Sequence, residues 1–361
     1  MSTSVLHKSD ITNLLLHPEE CINDFDLIYV YDHQFDIRRE KKGDNFIYVK
    51  KNKIIKEDNF LTRIQQLVIP PMWKNVKISS LENGHLQVVG RDAKGRKQYI
   101  YHPKWTELRS KTKFLKLEAF GKYLPLIRKK VERDLQQKTW TLTKVLALIV
   151  KLLEETHIRI GNQQYAKRNK TYGLTTLRTK HISTKHSNLK IHFIGKRGKK
   201  HNITIRNKRL VQLINQCQDI PGWEVFQYYD EYGEKRSIDS SLVNEYIHNI
   251  SGHNFTAKDF RTWSASLICF NTLCDFGLVS SSKEIKKNII KSIDRAAKEL
   301  GNTRSVSKNY YIHPEIIKKY EDGSIQPFFL KINKYKNSKT GLTSSEKAML
   351  SLLKKYTPVI T

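Results

Sequence analysis

Cysteine is scarce in this chain. Four residues, Cys21, Cys217, Cys269 and Cys274, occur in 361, and none stands in a Cys-x-x-Cys pair or is matched to a spaced pair of histidines. Neither a zinc site nor a disulfide framework is expected from that pattern. The thirteen histidines show no ligand spacing, so no metal is assigned. Long apolar runs are also missing. The best, VLALIVKLLEE at 145–155, is broken by Lys151 and falls short of the roughly 20 apolar residues that span a bilayer. The opening MSTSVLHKSDITN lacks the basic stretch and apolar core of a secretory signal. A reduced, intracellular protein without membrane association is therefore expected, in cytoplasm or nucleoid, or in a virion and viral factory if its source is viral. No GxxxxGK[ST] phosphate loop is present, and no cluster of carboxylates suits a two-metal nuclease.

Acidic residues are the other shortage. Against 65 Lys and Arg stand 35 Asp and Glu, a net charge of +30. The basic residues recur in every segment from Arg38 to Lys355 instead of forming one tail. Charge spread over a folded surface points to a polyanion held by the protein. Nucleic acid stands ahead of a ribosomal or membrane-surface role, and most of the Lys and Arg are read as ordinary solvated charge.

What is present reads as two textures. Residues 25–105 carry short β-prone runs, FDLIYVYD, NFIYVKKNKII and GHLQVVGRDAKGRKQYIYHP, separated by turn signals. Between them FLTRIQQLVIPPMW has a helical pattern that Pro70-Pro71 must end. From about residue 106 the pattern turns helical: Leu142, Val145, Leu146, Ile149, Leu152 and Leu153 recur at helical spacing, as do residues in 210–218, 240–250, 262–276 and 283–300. One β interruption, LKIHFIGKRGKKHNITI at 189–205, reads as a hairpin with a basic tip. The fold class is α+β: a small β-rich N-terminal domain (1–108), a larger, mostly helical domain with an inserted hairpin (109–330), and a basic C-terminal tail (331–361).

A tyrosine pair in TRSVSKNYYIHPEI (303–316) raises a chemical question. A phenol, with an ordinary pKa of about 10, attacks a phosphodiester only if the negative charge gathering on the phosphate oxygens is met by fixed donors. Arginine forks suit that charge and geometry. The departing oxygen needs a proton, which a lysine among other cations gives up more readily. Candidates exist for each part. Arg159 follows the 142–155 helix, Arg261 lies near a helix start in AKDFRTWSAS, and Lys196 occupies the tip GKRG. Asn302 follows Gly301, a C-cap for the 283–300 helix, and Tyr311 comes nine residues later, beside Tyr310. Adjacent helical residues point about 100° apart, so one tyrosine at most enters a site.

RIGNQQYAKRNKTYGLTTLRTKHI, KDFRTW, LGNTRSVSKNYY and GRDAKGRKQYIYHP together, in this order over roughly residues 25–330, resemble type IB DNA topoisomerases of the poxvirus-like branch found in large DNA viruses and bacteria. The resemblance implies two domains closing as a clamp around duplex DNA, acting as a monomer without ATP or an obligatory metal. Its Ser-Lys-x-x-Tyr pattern falls on Ser307, Lys308 and Tyr311, which makes Tyr311 the nucleophile and Tyr310 a packing neighbour. By the same carry-over Arg159 and Arg261 hold the scissile phosphate, and Lys196 is the general acid, with Lys199 and Lys200 as alternatives. Asn302 stands where the poxvirus enzymes have His, and the bacterial members share Asn. Lys258 matches a basic position that supports the DNA. Arg96, Tyr99 and Tyr101 match a DNA-facing strand, with Tyr99 and Tyr101 on one face; packing on a helix is the other reading of that pair. Tyr165 and Lys167 are further DNA-contact candidates, and Trp263 is read as a core anchor. Two other readings remain: a tyrosine recombinase, which favours His where this chain has Lys258, and a noncatalytic basic DNA-binding protein.

Overall fold

The computed structural model describes residues 12, 13, 16–93, 95–185, 188–335, 338 and 341–356. The chain divides into two units, one holding the residues up to Lys113 and the other running from Phe114 to Tyr356.

The first unit is built on an antiparallel sheet of β1 (Ile37–Lys42), β2 (Asn45–Lys50), β3 (Lys53–Ile54), β4 (Lys74–Ile78), β5 (Leu86–Arg91) and β6 (Lys97–Tyr101), in spatial order β3-β2-β1-β4-β5-β6. Helix α1 (Asp58–Gln66) sets Ile64 against Ile37, Val76, Ile78 and Val88. A register shift between Leu86 and Val88 re-phases β5. Leu86 and Val89 therefore join Val30, Phe35 and Tyr101 in a second cluster. Helix α1 ends at Leu67, and Val68 turns left-handed (φ 47°) before Pro70-Pro71. Helix α2 (Pro103–Thr112) closes the unit.

One strand expectation is corrected here, and one strand is unanticipated. FDLIYVYD is not a strand: Ile22–Phe25 and Asp32–Gln34 are 3₁₀ turns, and Ile28 makes an isolated bridge to Gly84. Phe25, Leu27 and Val30 are buried all the same, while Ile28 and Tyr31 are exposed; the segment is held by His85 N to Ile28 O (2.8 Å) and Val30 N to His85 Nδ1 (3.1 Å). Conversely β1, IRREKK, is a strand despite its charge. Ile37 alone of its residues is fully buried, and the Arg39 guanidinium collects the carbonyls of Ile69, Pro70, Pro71 and Trp73.

The second unit is mainly helical: α3 (Leu115–Asp134), α4 (Leu142–Thr156), α5 (Gln163–Asn169), α6 (Lys208–Gln218), α7 (Ser240–Ser251), α8 (Ala257–Phe276), α9 (Ser282–Leu300), α10 (Arg304–Tyr310), α11 (Pro314–Glu321), α12 (Gln326–Ile332) and α13 (Ser344–Leu353). It also carries a three-stranded sheet, β7 (Ile182–Lys185), β8 (Asn188–Ile194) and β9 (Lys200–Ile205), and a small pair, β10 (Gln227–Tyr229) and β11 (Lys235–Ser237). Val145 through Val150, with Leu152 and Leu153, are all buried. A helix apolar around its girth belongs at a core centre, and α4 packs against α3, α7 and α8. No helix among the described residues is long and apolar enough to cross a membrane.

Residues 341–356, part of the stretch read as a basic tail, pack into this unit. Thr343 and Glu346 cap α13 reciprocally, and Ala348, Met349, Leu352 and Leu353 are buried. Glu346, 2% exposed, takes both Nη atoms of Arg128 (2.9 and 2.7 Å) and Nε1 of Trp263 (2.9 Å). Trp263 is a core anchor, 3% exposed, on the helix that carries Arg261. Glu346→Ala takes one of two carboxylates from the buried Arg128 guanidinium, which keeps Glu154 (Nε to Oε1, 2.7 Å), and leaves the Trp263 indole N–H unpaired. It is expected to cost about 2–3 kcal/mol and to lower the thermal midpoint by about 5–10 °C. A melting curve within about 2 °C of wild type contradicts this role.

Candidate active site

Arg159 is aimed by the way α4 stops. His157 adopts the left-handed conformation (φ 55°) as the C-cap, and the chain turns into a strap carrying Arg159. That strap crosses Gly173 so closely that a Cβ there would lie 2.5 Å from the Arg159 carbonyl oxygen, while Leu174 N donates to the same oxygen (2.9 Å). Arg261 sits on the first turns of α8, whose start is fixed by the Thr256/Asp259 capping box. Asn302 follows Gly301, the left-handed C-cap of α9 (φ 63°), and its N–H returns to the Ala297 carbonyl (2.8 Å).

These elements bring the side chains together. Arg159 Nη2 donates to Asn302 Oδ1 at 2.5 Å, and Arg261 Nη2 reaches the same oxygen at 3.4 Å. Arg261 also donates through Nη1 to the His157 carbonyl and through Nη2 to the Leu300 carbonyl (2.9 Å). Tyr311 lies under this pair, its ring centroid 5.5 Å from the Arg261 guanidinium carbon, and it interacts favourably with both guanidinium groups. The Tyr311 backbone is held by Ser266 Oγ, which donates to its carbonyl (3.2 Å) and accepts from His313 N (3.0 Å). Tyr311 caps α10, whereas Tyr310 is 56% exposed, not packed as expected.

Among the described residues neither Arg159 nor Arg261 pairs with a carboxylate; their partners are carbonyl and amide oxygens. Burial, with the Arg159 charge beside it, pushes Arg261 down to about 10, so it stays a cation at neutral pH. Arg261 Nε and Asn302 Nδ2 are buried donors without a partner. Buried donors left open are costly, and here they sit beside two unneutralised cations. The arrangement is a receptor for an oxyanion, with a phenol next to it.

The basic hairpin reaches the same place. Lys199 Nζ donates to the Asn302 carbonyl at 3.3 Å, and the charge of Arg197 is felt at Arg159. Lys196 is exposed on the tip, at the first residue of a 3₁₀ turn that Gly195 N and Lys199 O close (2.8 Å). Lys258 is exposed one turn before Arg261, and Tyr165 and Lys167 are exposed on α5. In the first unit Tyr99 is 44% exposed and stacks on Tyr101 at 6.0 Å, while Tyr101 joins the apolar cluster. Arg96 precedes β6 and is engaged with Asp92. One metal-ligand grouping that histidine spacing does not reveal, His17 with Glu19 and Glu20, brings three ligating atoms within 4.8 Å in that unit.

A scan against family models matches residues 102–339 to "Eukaryotic DNA topoisomerase I, catalytic core" and residues 45–92 to "Bacterial DNA topoisomerase IB, N-terminal domain". The chain belongs to the type IB DNA topoisomerases. Among curated relatives, DNA topoisomerase 1B of Acanthamoeba polyphaga mimivirus is 33% identical over 296 residues, covering 79% of this chain and 88% of that protein. DNA topoisomerase 1B of vaccinia virus (strain Copenhagen) is 24% identical over 292 residues, 76% of this chain and 90% of that protein. DNA topoisomerase 1 of rabbit fibroma virus is 28% identical over 232 residues, 62% and 68% respectively. The chain is thus an isomerase that changes DNA topology, and the α+β reading of its fold stands.

Three histidines of this unit of the topoisomerase, two of them beside the site, were not singled out for charge by the sequence. Burial, with the Arg261 charge, holds His157 down to about 4. Burial with Lys180 and Arg178 does the same to His181, and burial with Arg159, Lys199 and Arg261 to His201, each to about 4. An unfolded histidine titrates at about 6.5. Between these values the unfolded chain binds more protons, so stability is complete above about 6.5 and falls as pH drops toward 4. The urea midpoint is expected to be lower at pH 5 than at pH 7; an equal or higher midpoint at pH 5 contradicts neutral, buried histidines.

Proposed function

We propose that this topoisomerase relaxes supercoiled duplex DNA by transient cleavage of one strand through Tyr311. The Tyr311 oxygen attacks the scissile phosphorus, forming a 3′-phosphotyrosyl bond as the bond from phosphorus to the 5′-oxygen breaks. The phenolic proton passes to solvent, and Lys196 protonates the departing 5′-oxygen. Arg159 and Arg261 take the non-bridging oxygens, and the open Nδ2 of Asn302 supplies a neutral donor. The cut strand swivels, and the 5′-hydroxyl reverses the reaction. The phosphodiester energy is kept in the tyrosyl bond, so neither ATP nor a divalent metal is required.

The observation that carries this reading is the meeting of Arg159, Arg261 and Asn302 over Tyr311 with donors left unpartnered. Exposed Tyr165, Lys167, Lys258 and Tyr99 are read as DNA contacts, together with Arg96; Tyr101 supports Tyr99 by stacking. The protein works as a monomer inside the cell, or in a virion or viral factory. The test is relaxation of negatively and positively supercoiled plasmid in EDTA without ATP. Relaxation of both signs is expected, and a requirement for ATP or metal overturns the reading. Strand exchange between two duplexes marks a recombinase instead. Binding is expected to weaken with salt at about −0.9 in log K per log salt for each phosphate contacted, so a nearly flat salt profile argues against a duplex gripped over several phosphates.

A further inference from the structure

His201 is the second residue of β9, just after the hairpin tip, and no motif drew attention to it. Its ring stacks on Phe193, its register partner across the hairpin, with centroids 4.7 Å apart and planes 5° from parallel. The imidazole edge then fills space that two glycines leave. A Cβ on Gly195 would lie 2.7 Å from His201 Nε2, and a Cβ on Gly301 would lie 2.5 Å from His201 Cε1. Gly195 immediately precedes Lys196, and Gly301 immediately precedes Asn302. The ring is therefore wedged between the residue that launches the basic tip and the residue that launches Asn302. Lys199 makes the neighbouring polar link, from its ammonium to the Asn302 carbonyl (3.3 Å). Lower on the hairpin, Tyr172 N donates to Ile194 O (2.8 Å) and ties that strand to the loop beside Arg159's strap. An exposed basic tip, with Gly198 at positive φ, has little side-chain packing of its own to fix it.

We propose that His201 is a positioning residue that sets the hairpin, and with it the proton-donating lysine, in register with Asn302 and the scissile phosphate. This rests on the reading that a hairpin lysine protonates the leaving 5′-oxygen. The wedge is steric and aromatic: it needs a flat ring between two glycines, and it keeps a flexible tip from drifting off the leaving group. Misplacement by about 1 Å is enough to cost on the order of 10²-fold in such a step.

The experiment is single-turnover cleavage of a suicide duplex by the full chain, on two substrates. One has the ordinary 5′-oxygen leaving group; in the other sulfur replaces that bridging oxygen. A thiolate departs without being protonated, so the sulfur substrate bypasses the general acid. The variants are His201→Ala, Gly195→Ala, the double variant, Lys196→Ala and Lys199→Ala. His201→Ala is expected to slow the oxygen substrate about 10²-fold and the sulfur substrate by less than about 10-fold. Gly195→Ala, whose new methyl meets the same ring, is expected to give the same selective loss, and the double variant to be no worse than His201→Ala. Equal slowing of both substrates by His201→Ala, or no slowing of either, overturns the proposal; so does an additive double variant. If neither lysine variant is relieved by sulfur, the assignment of a hairpin general acid fails instead, and the two failures are read separately.

Discussion

Replacing Tyr311 with phenylalanine is expected to abolish relaxation and covalent DNA capture, a loss of about 10⁴-fold or more, while Tyr310→Phe stays within about 3-fold of wild type. The difference follows from where α10 ends. Tyr311 closes the helix with its ring 5.5 Å from the Arg261 guanidinium carbon and its carbonyl held by Ser266. Tyr310, one residue earlier, turns outward and is 56% exposed. Removing the Tyr311 hydroxyl deletes the atom proposed to form the new bond, yet leaves the ring to pack under both arginines, so the fold is expected to survive. Supercoiled plasmid and a suicide duplex read the two variants side by side. Activity in Tyr311→Phe, or its loss in Tyr310→Phe, means that the other tyrosine reacts.

Asn302→Asp is expected to separate stability from catalysis. The Asn302 side-chain oxygen already accepts from Arg159 and Arg261, and a carboxylate there turns two neutral-acceptor bonds into charged ones, each stronger by about 1 kcal/mol. The thermal midpoint is therefore expected to rise by a few degrees, at about 2–4 °C per kcal/mol. The same change removes the open Nδ2 donor, offsets one of the two cationic charges and places a negative charge where the phosphate must develop one. Cleavage is expected to fall by about 10²–10³-fold or more. Asn302→Ala loses the donor without the added charge and is expected to be slower than wild type but not stabilised. An aspartate variant that cleaves at the wild-type rate contradicts a donor role for this side chain.

How far the sequence speaks depends on whether a feature is local. Helix α4 is written in its apolar repeat, the hairpin in the alternation flanking GKRGKK, and the end of α9 in Gly301. These fix where Arg159, the basic tip and Asn302 leave their elements, so the candidate set is legible. β1 is not, because IRREKK has a polar composition and becomes a strand through pairing with β2 and through Arg39's bonds to the loop at 69–73. FDLIYVYD misleads in the opposite sense: Phe25, Leu27 and Val30 are buried in a segment held by a bridge and by His85, not by a ladder. The acceptors that orient Arg261 are main-chain carbonyls of His157 and Leu300, orphaned at helix ends, and carbonyls carry no sequence signature. The capping pair Thr343 and Glu346 was open to local reading, but the burial of Glu346 against Arg128 and Trp263 depends on residues 83 and 218 positions away. His201 is the extreme case, since its meaning lies in two glycines, one of them a hundred residues distant.

The central claim is that Tyr311 becomes joined to the 3′ end of a cut strand. The direct measurement is to trap the adduct on a suicide duplex whose 5′-hydroxyl fragment diffuses away, digest it with trypsin and nuclease, and sequence the modified peptide by mass spectrometry. Cleavage after Lys308 and Lys318 gives NYYIHPEIIK, so fragmentation must separate the two tyrosines. The predicted result is a nucleotide linked through its 3′-phosphate to Tyr311, with Tyr310 unmodified. A nucleotide on Tyr310, a link through a 5′-phosphate, or DNA cut with no protein attached contradicts it.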